Sequence, residues 1–186
     1  MVRWKVWTVV VGTALAAGTL AAQSPANQAT QTSPRMSGME MGHGKPTIPA
    51  VPLKIGFQDK SAEWTAPTLA SLPHLTLTVY NEHAKKNETY SGVALIDLLK
   101  PLGVPDKPHG KEFRLYLEAE GADGYVVVYS VAEVTPDVHD GTVIVADTMD
   151  GKPLADDGPL KLVATGEKRP ARWVRNLAAI RVLTAQ

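Results

Sequence analysis

The chain has 186 residues, of which 44% are hydrophobic and 20% charged, and its 19 basic and 19 acidic side chains give a formal net charge of zero. This composition is typical of a globular protein with a core of ordinary size. The balanced charge gives no electrostatic basis for binding nucleic acid, which needs a clustered excess of Lys and Arg. Because the sequence contains no cysteine, disulfides, iron–sulfur clusters and thiolate-ligated metal centres are excluded.

Residues 1–22 have the pattern of a secretory signal peptide. Arg3 and Lys5 precede an apolar run at residues 6–18, and small residues ending at Ala22 offer a cleavage site before Gln23. A retained membrane anchor is the alternative, but the run is shorter than the roughly 20 apolar residues that a membrane-spanning helix needs. We therefore expect cleavage near Ala22 and a secreted, periplasmic mature protein.

Residues 23–50 have the polar composition of a disordered linker. Within it, Met36, Met39 and Met41 lie close together and His43 follows at once. Thioether and imidazole groups are ligands that suit copper, especially Cu(I). The segment is therefore a candidate copper site, and a spacer with accidental methionines is the alternative.

Residues 51–186 show the patterns of a folded domain rich in strands. Apolar or alternating runs predict strands at residues 53–57, 75–80, 113–118, 125–129, 142–146, 160–164 and 177–183, with a short returning strand at residues 89–90. The runs at 125–129 and 142–146 are apolar enough to predict strands that are buried on both faces.

Helical signals in this domain are few and short. Four leucines recur at helical spacing and predict a helix that Ser91 caps: Leu95, Leu98, Leu99 and Leu102. Ser130 and Glu133 fit a capping box that begins a second short helix, and residues 68–72 are expected to form one helical turn. Many strands, few helices and no regular strand–helix alternation predict an α+β fold of mixed sheets.

A basic loop precedes the last predicted strand. It contains Lys168, Arg169 and Arg172. Guanidinium groups hold phosphates and carboxylates through paired hydrogen bonds and keep their charge, so these three residues are the candidate site for a small anionic ligand. The alternative is a surface hairpin whose arginines pair with nearby acids, namely Asp156, Asp157 and Glu167.

The sequence contains none of the short motifs of nucleophilic, nucleotide-binding or zinc-dependent enzymes. Four histidines of the domain lie singly in loops or at strand edges and are expected to be surface residues: His74, His83, His109 and His139. We therefore name no catalytic residue.

A series of short motifs resembles the molybdopterin-binding domain of the sulfite oxidase family, and in particular its small, stand-alone secreted members. The resemblance covers about residues 53–184. The motifs are Tyr90-Ser-Gly-Val-Ala-Leu-Ile-Asp-Leu-Leu99, Ala122-Asp-Gly-Tyr125, Val145-Ala-Asp147, Asp150-Gly-Lys-Pro-Leu154, Gly158-Pro-Leu-Lys-Leu162 and Ala171-Arg-Trp-Val174.

This resemblance implies an α+β fold that holds a molybdenum–molybdopterin cofactor. It also implies that the basic loop contacts the pterin or its phosphate, with Arg172 at the family's basic position and Lys168 and Arg169 beside it. A redox or membrane-protein partner is a further expectation.

Two departures from the family's pattern limit what the resemblance implies. The family's enzymes ligate molybdenum through a cysteine thiolate, and this chain has no cysteine. Where the family carries a His-Gly and an Arg, the chain reads Ala155-Asp-Asp-Gly-Pro-Leu-Lys161. We therefore expect an oxidoreductase-like module that binds a pterin or another small anion, not a standard molybdenum oxotransferase. Copper handling outside the cytoplasm through residues 36–43 is the alternative function.

Overall fold

The computed structural model describes residues 50–82, 84–154 and 156–186. The predicted signal peptide, the linker up to residue 49 and the copper candidates Met36, Met39, Met41 and His43 lie outside the described residues. Within the described residues, no helix has both the length and the apolar character needed to cross a membrane.

Ten strands in these ranges form two five-stranded sheets. In chain order they are β1 (Leu53–Phe57), β2 (Lys60–Trp64), β3 (Leu75–Asn81), β4 (Lys86–Ala94), β5 (Leu115–Gly121), β6 (Val126–Ser130), β7 (Val143–Met149), β8 (Lys152–Pro153), β9 (Lys161–Ala164) and β10 (Leu177–Thr184).

The two sheets differ in how their strands run. The first has the order β2-β1-β10-β5-β6, and among its described pairs β1 and β10 are parallel while the others are antiparallel. The second has the order β3-β4-β7-β8, with β9 also paired to β7, and its pairs are antiparallel. This architecture confirms the predicted α+β class with mixed sheets.

The helices are short, as the sequence predicts. They are α1 (Ala66–Leu69), α2 (Leu95–Leu99) and 3-10 turns at Lys100–Leu102, Gly110–Arg114, Val131–Val134 and Pro170–Arg172. The predicted capping box before Val131–Val134 is present. Ser130 Oγ accepts a hydrogen bond from the Ala132 amide at 3.0 Å, and Glu133 Oε2 accepts one from the Ser130 amide at 2.8 Å.

The predicted start of the leucine-rich helix at Ser91 is wrong. Ser91 lies in β4, which continues to Ala94, and α2 begins only at Leu95. The reason is pairing across the sheet, because Val93 and Ala94 pair with Val145 and Ile144 of β7. Backbone pairing with β7 therefore extends the strand past the position that local sequence favours for a helix.

The prediction that the strand at residues 125–129 is buried on both faces is also wrong. Val126 and Val128 are 44% and 50% exposed, whereas Val127 and Tyr129 are buried. β6 pairs only with β5 among the described strands and lies at the edge of the first sheet. One of its faces packs on the core and the other meets solvent, because successive side chains in a strand point to opposite faces.

One main core joins both sheets and α2. Its fully buried members include Ile55, Leu117, Ile180, Val145, Leu162 and Leu99. A smaller cluster lies on the opposite face of the second sheet and consists of Tyr90, Ile144, Ala146 and Val163, with Trp173 packed against it. Tyr90 and Trp173 also line the site described next.

Candidate functional site in two clefts beside the β9–β10 loop

Two adjoining clefts flank the loop between β9 and β10. The larger, called here the aromatic cleft, has a volume of about 510 Å³ and is lined by four aromatic side chains, Tyr80, Tyr90, Tyr125 and Trp173. The smaller, called here the loop cleft, has a volume of about 310 Å³ and is lined by loop residues from Thr165 to Pro170. Tyr80, Pro170 and Trp173 line both clefts, so the two form one continuous depression.

Lys161, the first residue of β9, is nearly buried at the base of the aromatic cleft, with 9% of its side chain exposed. Its Nζ donates hydrogen bonds to Asp157 Oδ2 at 2.6 Å and to Tyr90 Oη at 3.0 Å. Nζ also lies 4.8 Å from the ring centre of Tyr90 and 5.3 Å from that of Trp173. Asp157 and the two rings compensate a charge that would be costly to bury alone.

The phenol of Tyr90 connects Lys161 to a buried carboxylate. Tyr90 Oη donates to Glu88 Oε2 at 2.9 Å, and Glu88 Oε1 accepts from Asn81 Nδ2 at 2.9 Å. Burial, followed by the hydrogen bond to Glu88, raises the pKa of Tyr90 well above its ordinary value. Tyr90 therefore stays a neutral phenol at physiological pH, with its ring fixed by polar contacts.

Trp173 forms the other aromatic wall. Its ring meets that of Tyr90 edge to face, with centroids 5.6 Å apart and planes at 81°. Its indole Nε1 donates to the carbonyl of Ala164 at 2.9 Å. Both contacts fix the ring orientation, so the wall is formed before a ligand arrives.

The charges that line the aromatic cleft balance. Lys161 and Arg175 contribute two positive charges, and Asp123 and Asp157 contribute two negative ones. Asp157 lies between the cations, since its Oδ1 is 3.9 Å from an Nη of Arg175. An unpaired aspartate would repel an anion here, but Asp157 is paired.

The predicted anion ligands divide into two groups. Lys168 and Arg169 are exposed and line the loop cleft. Within residues 50–82, 84–154 and 156–186, no acidic side chain forms a salt bridge with either of them. They are the cations of this loop that remain available to a ligand.

Arg172 lines neither cleft and instead forms an internal cluster. Its Nε donates to Glu167 Oε1 at 2.9 Å, its Nη1 donates to Glu133 Oε1 at 2.8 Å, and its Nη2 also donates to Glu167. The guanidinium carbon lies 4.4 Å from the ring centre of Tyr129. The alternative of a hairpin with paired arginines thus describes Arg172, with Glu167 as one of the expected partners.

The pKa values of this cluster reflect the pairing. Burial acts most strongly on Glu133 and raises its pKa, but the Ser130 amide and Arg172 together lower it below its ordinary value. Burial likewise lowers the pKa of Arg172, and Glu133 and Glu167 more than reverse that effect. Glu133 and Arg172 are therefore both ionised at neutral pH.

The histidines are less uniform than the sequence predicts. His74 is no free surface residue, because its Nε2 lies 3.0 Å from Asp147 Oδ2 and its Nδ1 lies 2.7 Å from the carbonyl of Leu72. His109 is exposed as expected, and His83 lies outside the described residues. In the described ranges, no three His, Cys, Asp or Glu side chains group in a way that could hold a metal ion.

In the sequence, Lys161 is notable first because it replaces the arginine that the resemblance implies at this position. A stronger signal was present, because a lysine stands within the apolar run 160–164. A charged residue in a buried strand needs a counter-charge and marks a polar site inside the fold. Tyr90 and Trp173 carried no comparable signal, since aromatic residues in strands are most often core residues.

Comparison with protein families identifies one match over most of the chain. The model of the oxidoreductase molybdopterin-binding domain matches residues 53–186. A comparison with curated proteins finds no match.

Proposed function

The chain belongs to the oxidoreductase molybdopterin-binding domain family, and from this premise we propose that the two clefts bind a planar heteroaromatic ligand that carries an anionic group. A phosphorylated pterin is the ligand that the family implies. The observation that carries the proposal is the junction of a pre-formed aromatic wall, Tyr90 and Trp173, with the exposed cations Lys168 and Arg169, which form no salt bridge among the described residues.

The aromatic cleft suits the heterocycle. Its volume of about 510 Å³ lies within the range of small-molecule sites. Flat rings pack favourably against Tyr and Trp side chains. Asp123 and Asp157 accept hydrogen bonds, while Lys161 and Arg175 donate them, and a pterin ring offers both donors and acceptors at its edge. The zero sum of these charges favours a neutral polar ring over an anion.

The loop cleft suits the anionic group. Lys168 and Arg169 line this cleft with exposed side chains that can make charge-assisted hydrogen bonds to phosphate oxygens. Because the cleft is exposed, salt will screen this attraction. The affinity for the anionic part should therefore fall as ionic strength rises.

The residues present fit the organic part of the cofactor but do not supply the metal's protein ligand. Molybdenum held by a pterin supplies oxygen-atom transfer in the family's enzymes, where a cysteine thiolate completes its coordination. This chain has no cysteine anywhere in its sequence. We therefore propose a ligand-binding module of the oxidoreductase fold rather than a standard molybdenum oxotransferase.

Calorimetric titration of the purified protein tests this function. The probes are a pterin monophosphate, the unphosphorylated pterin and inorganic phosphate. We expect saturable binding of the pterin monophosphate. We also expect the Lys168→Ala/Arg169→Ala variant to bind it at least about tenfold more weakly, because charge-assisted hydrogen bonds are lost. Trp173→Leu should weaken binding of both pterins while leaving that of inorganic phosphate unchanged.

The matched control is Lys111→Ala, which removes an exposed lysine from the turn Gly110–Arg114, outside both clefts. This variant should bind like the wild type. Thermal unfolding of each variant verifies that it is folded. Absence of saturable binding for all three probes would contradict the proposed function.

We further propose that the mature protein is secreted to the periplasm, on the basis of the signal-peptide pattern in residues 1–22. The intact mass of the protein isolated from its native host tests this. A mature chain beginning at Gln23 supports secretion with cleavage, and retention of residues 1–22 contradicts it.

A second candidate function is copper binding by Met36, Met39, Met41 and His43, which rests on their clustering in the sequence. Titration with Cu(I) of the mature protein and of a variant beginning at Lys45 tests it. Tighter binding by the longer chain supports the assignment. Equal affinity in the two proteins would remove it.

A further inference from the structure

Arg172 donates four hydrogen bonds within the protein. All three guanidinium nitrogens donate, with Glu167 and Glu133 as the charged acceptors and the carbonyl of Val128 as a longer third contact at 3.4 Å. The face of the guanidinium packs on the ring of Tyr129. These contacts use four of the five N–H groups of the guanidinium, so a ligand that took more than one hydrogen bond from Arg172 would have to displace one of these partners.

Two tyrosine hydroxyl groups also hold the main chain at Arg172 and at the residue before it. Tyr129 Oη donates to the carbonyl of Arg172 at 2.8 Å, and Tyr125 Oη donates to the carbonyl of Ala171. Both tyrosines belong to β6 or to the residue before it. These bonds therefore join the turn Pro170–Arg172 to the edge of the first sheet.

Glu133 is itself oriented by local structure. Its Oε2 accepts from the Ser130 amide in the capping box, which leaves Oε1 to accept from Arg172. The capping box therefore stabilises the start of the turn Val131–Val134 and also orients the carboxylate of Glu133 towards the β9–β10 loop.

The charge of this cluster opposes anion binding at Arg172. Two carboxylates face one guanidinium, so the formal charge of the three side chains is negative. An anionic group brought to Arg172 would meet at least one of these carboxylates as a like charge. Lys168 and Arg169 line the loop cleft together with Glu82 and Glu167, and these two carboxylates are already paired with Lys85 and Arg172.

We propose that Arg172 is a positioning residue and not a ligand of the anionic group. Together with Glu133 and Glu167, it holds the β9–β10 loop so that Lys168 and Arg169 face the loop cleft and Pro170 and Ala171 border the aromatic cleft. The effect of this role on ligand affinity rests on the proposed function.

Removal of a negative charge near Arg172 should change the binding affinity in opposite directions if Arg172 is a ligand and if it is a positioning residue. Glu133→Gln deletes a negative charge while nearly preserving shape, and Glu133 lines neither cleft. If Arg172 were a ligand, this change would release it and tighten binding of the pterin monophosphate. The positioning role predicts the opposite, a weakening of about tenfold, because the charge-assisted bond that holds the loop is lost.

Salt dependence gives a second distinction. Lys168→Ala and Arg169→Ala should reduce the slope of binding affinity against salt concentration, since each removes a cation that contacts the anion. Arg172→Gln should weaken binding and leave that slope unchanged. Tighter or unaltered binding in Glu133→Gln would overturn the positioning role, as would a reduced slope in Arg172→Gln.

A measurement without ligand tests the positioning role independently. The Trp173 amide donates to the carbonyl of Pro170 at 3.2 Å and closes the turn. Its hydrogen exchange should accelerate about tenfold in Glu133→Gln, Glu167→Gln and Arg172→Gln, and remain at the wild-type rate in Lys111→Ala. Unchanged exchange in these three variants would overturn the role. Accelerated exchange without pterin binding by the wild type would instead contradict only the proposed function.

Discussion

His74 and Asp147 form an ion pair at the start of β3. The side chain of Asp147 is only 6% exposed, and that of His74 is 22% exposed. Both ring nitrogens of His74 face acceptors, Asp147 Oδ2 and the carbonyl of Leu72, so both can donate only when the ring is the imidazolium. The hydrogen bond to Asp147 is the main cause that raises the pKa of His74 above its ordinary value.

The raised pKa makes the stability of the protein depend on pH. The folded state binds the His74 proton more tightly than the unfolded state does. The pair's contribution is therefore complete below the ordinary histidine pKa of about 6.5 and is lost as pH rises through the folded-state pKa. Urea unfolding over a range of pH should show this loss in the wild type and not in His74→Gln.

His109→Gln is the matched control for that measurement. The side chain of His109 is 88% exposed, so its replacement should leave the pH profile close to that of the wild type. A profile for His74→Gln that parallels the wild type would contradict the assignment of this pH dependence to the ion pair.

The sequence reveals which residues carry charge but not which charges meet. Asp147, the partner of His74, lies 73 residues away, and Glu133, one of the two carboxylate partners of Arg172, lies 39 residues away. Only the folding of the two sheets brings them together. The basic loop was therefore predictable as a cluster, whereas the division between the cleft-lining Lys168 and Arg169 and the paired Arg172 was not.

At the scale of the secondary-structure elements, Gly92 allows the backbones of β4 and β7 to lie close together. A β-carbon at Gly92 would lie 2.2 Å from the carbonyl oxygen of Val145 and 2.5 Å from the α-carbon of Ala146. The register of the two strands shifts between Ser91 and Gly92, so this is also the irregular point of the pairing. Glycine is required here for close backbone approach.

Gly92→Ala should therefore destabilise the protein by about 2 kcal/mol or more, because the strands must move apart to admit the methyl group. Urea unfolding measures the change. Gly56→Ala is the control within β1, where the nearest atom to an added β-carbon is the Lys60 carbonyl oxygen at 3.9 Å. Equal stability of the two variants would contradict the close approach at Gly92.

At this scale, periodicity predicted the elements better than their limits. The leucines of α2 and the residues that follow it do face the core, and Leu95, Leu98 and Leu99 are fully buried or nearly so. The start of α2 was missed because β7 pairs with β4 and prolongs the strand. The exposed face of β6 was missed because the sequence does not show that β6 lies at a sheet edge.

The two clefts are a property of the whole molecule. Tyr80 and Tyr90 come from the second sheet, Tyr125 precedes the edge strand of the first, and Trp173 comes from the loop that joins β9 to β10. The loop connects one sheet to the other, because β9 pairs with β7 and β10 pairs with β1 and β5. A binding surface formed in this way requires both sheets.

Fold class and family were predictable from the sequence, since alternation, turn residues and the order of short motifs extend along the entire domain. The mixed-sheet α+β architecture and the family match over residues 53–186 confirm both. The aromatic cleft was not predictable, because Tyr90, Lys161 and Trp173 lie in separate segments and meet only in three dimensions.

The pterin and molybdenum content of the protein purified from a molybdopterin-competent host tests the central claim most directly. Oxidation of the released pterin to a fluorescent product measures the pterin content, and elemental analysis measures the molybdenum content. A cleft with aromatic walls and exposed cations, in a chain without a cysteine thiolate, predicts a stoichiometric amount of pterin and an amount of molybdenum far below it. Absence of pterin would contradict the proposed ligand. An amount of molybdenum equal to the amount of pterin would contradict the assignment as a module that lacks the metal's usual protein ligand.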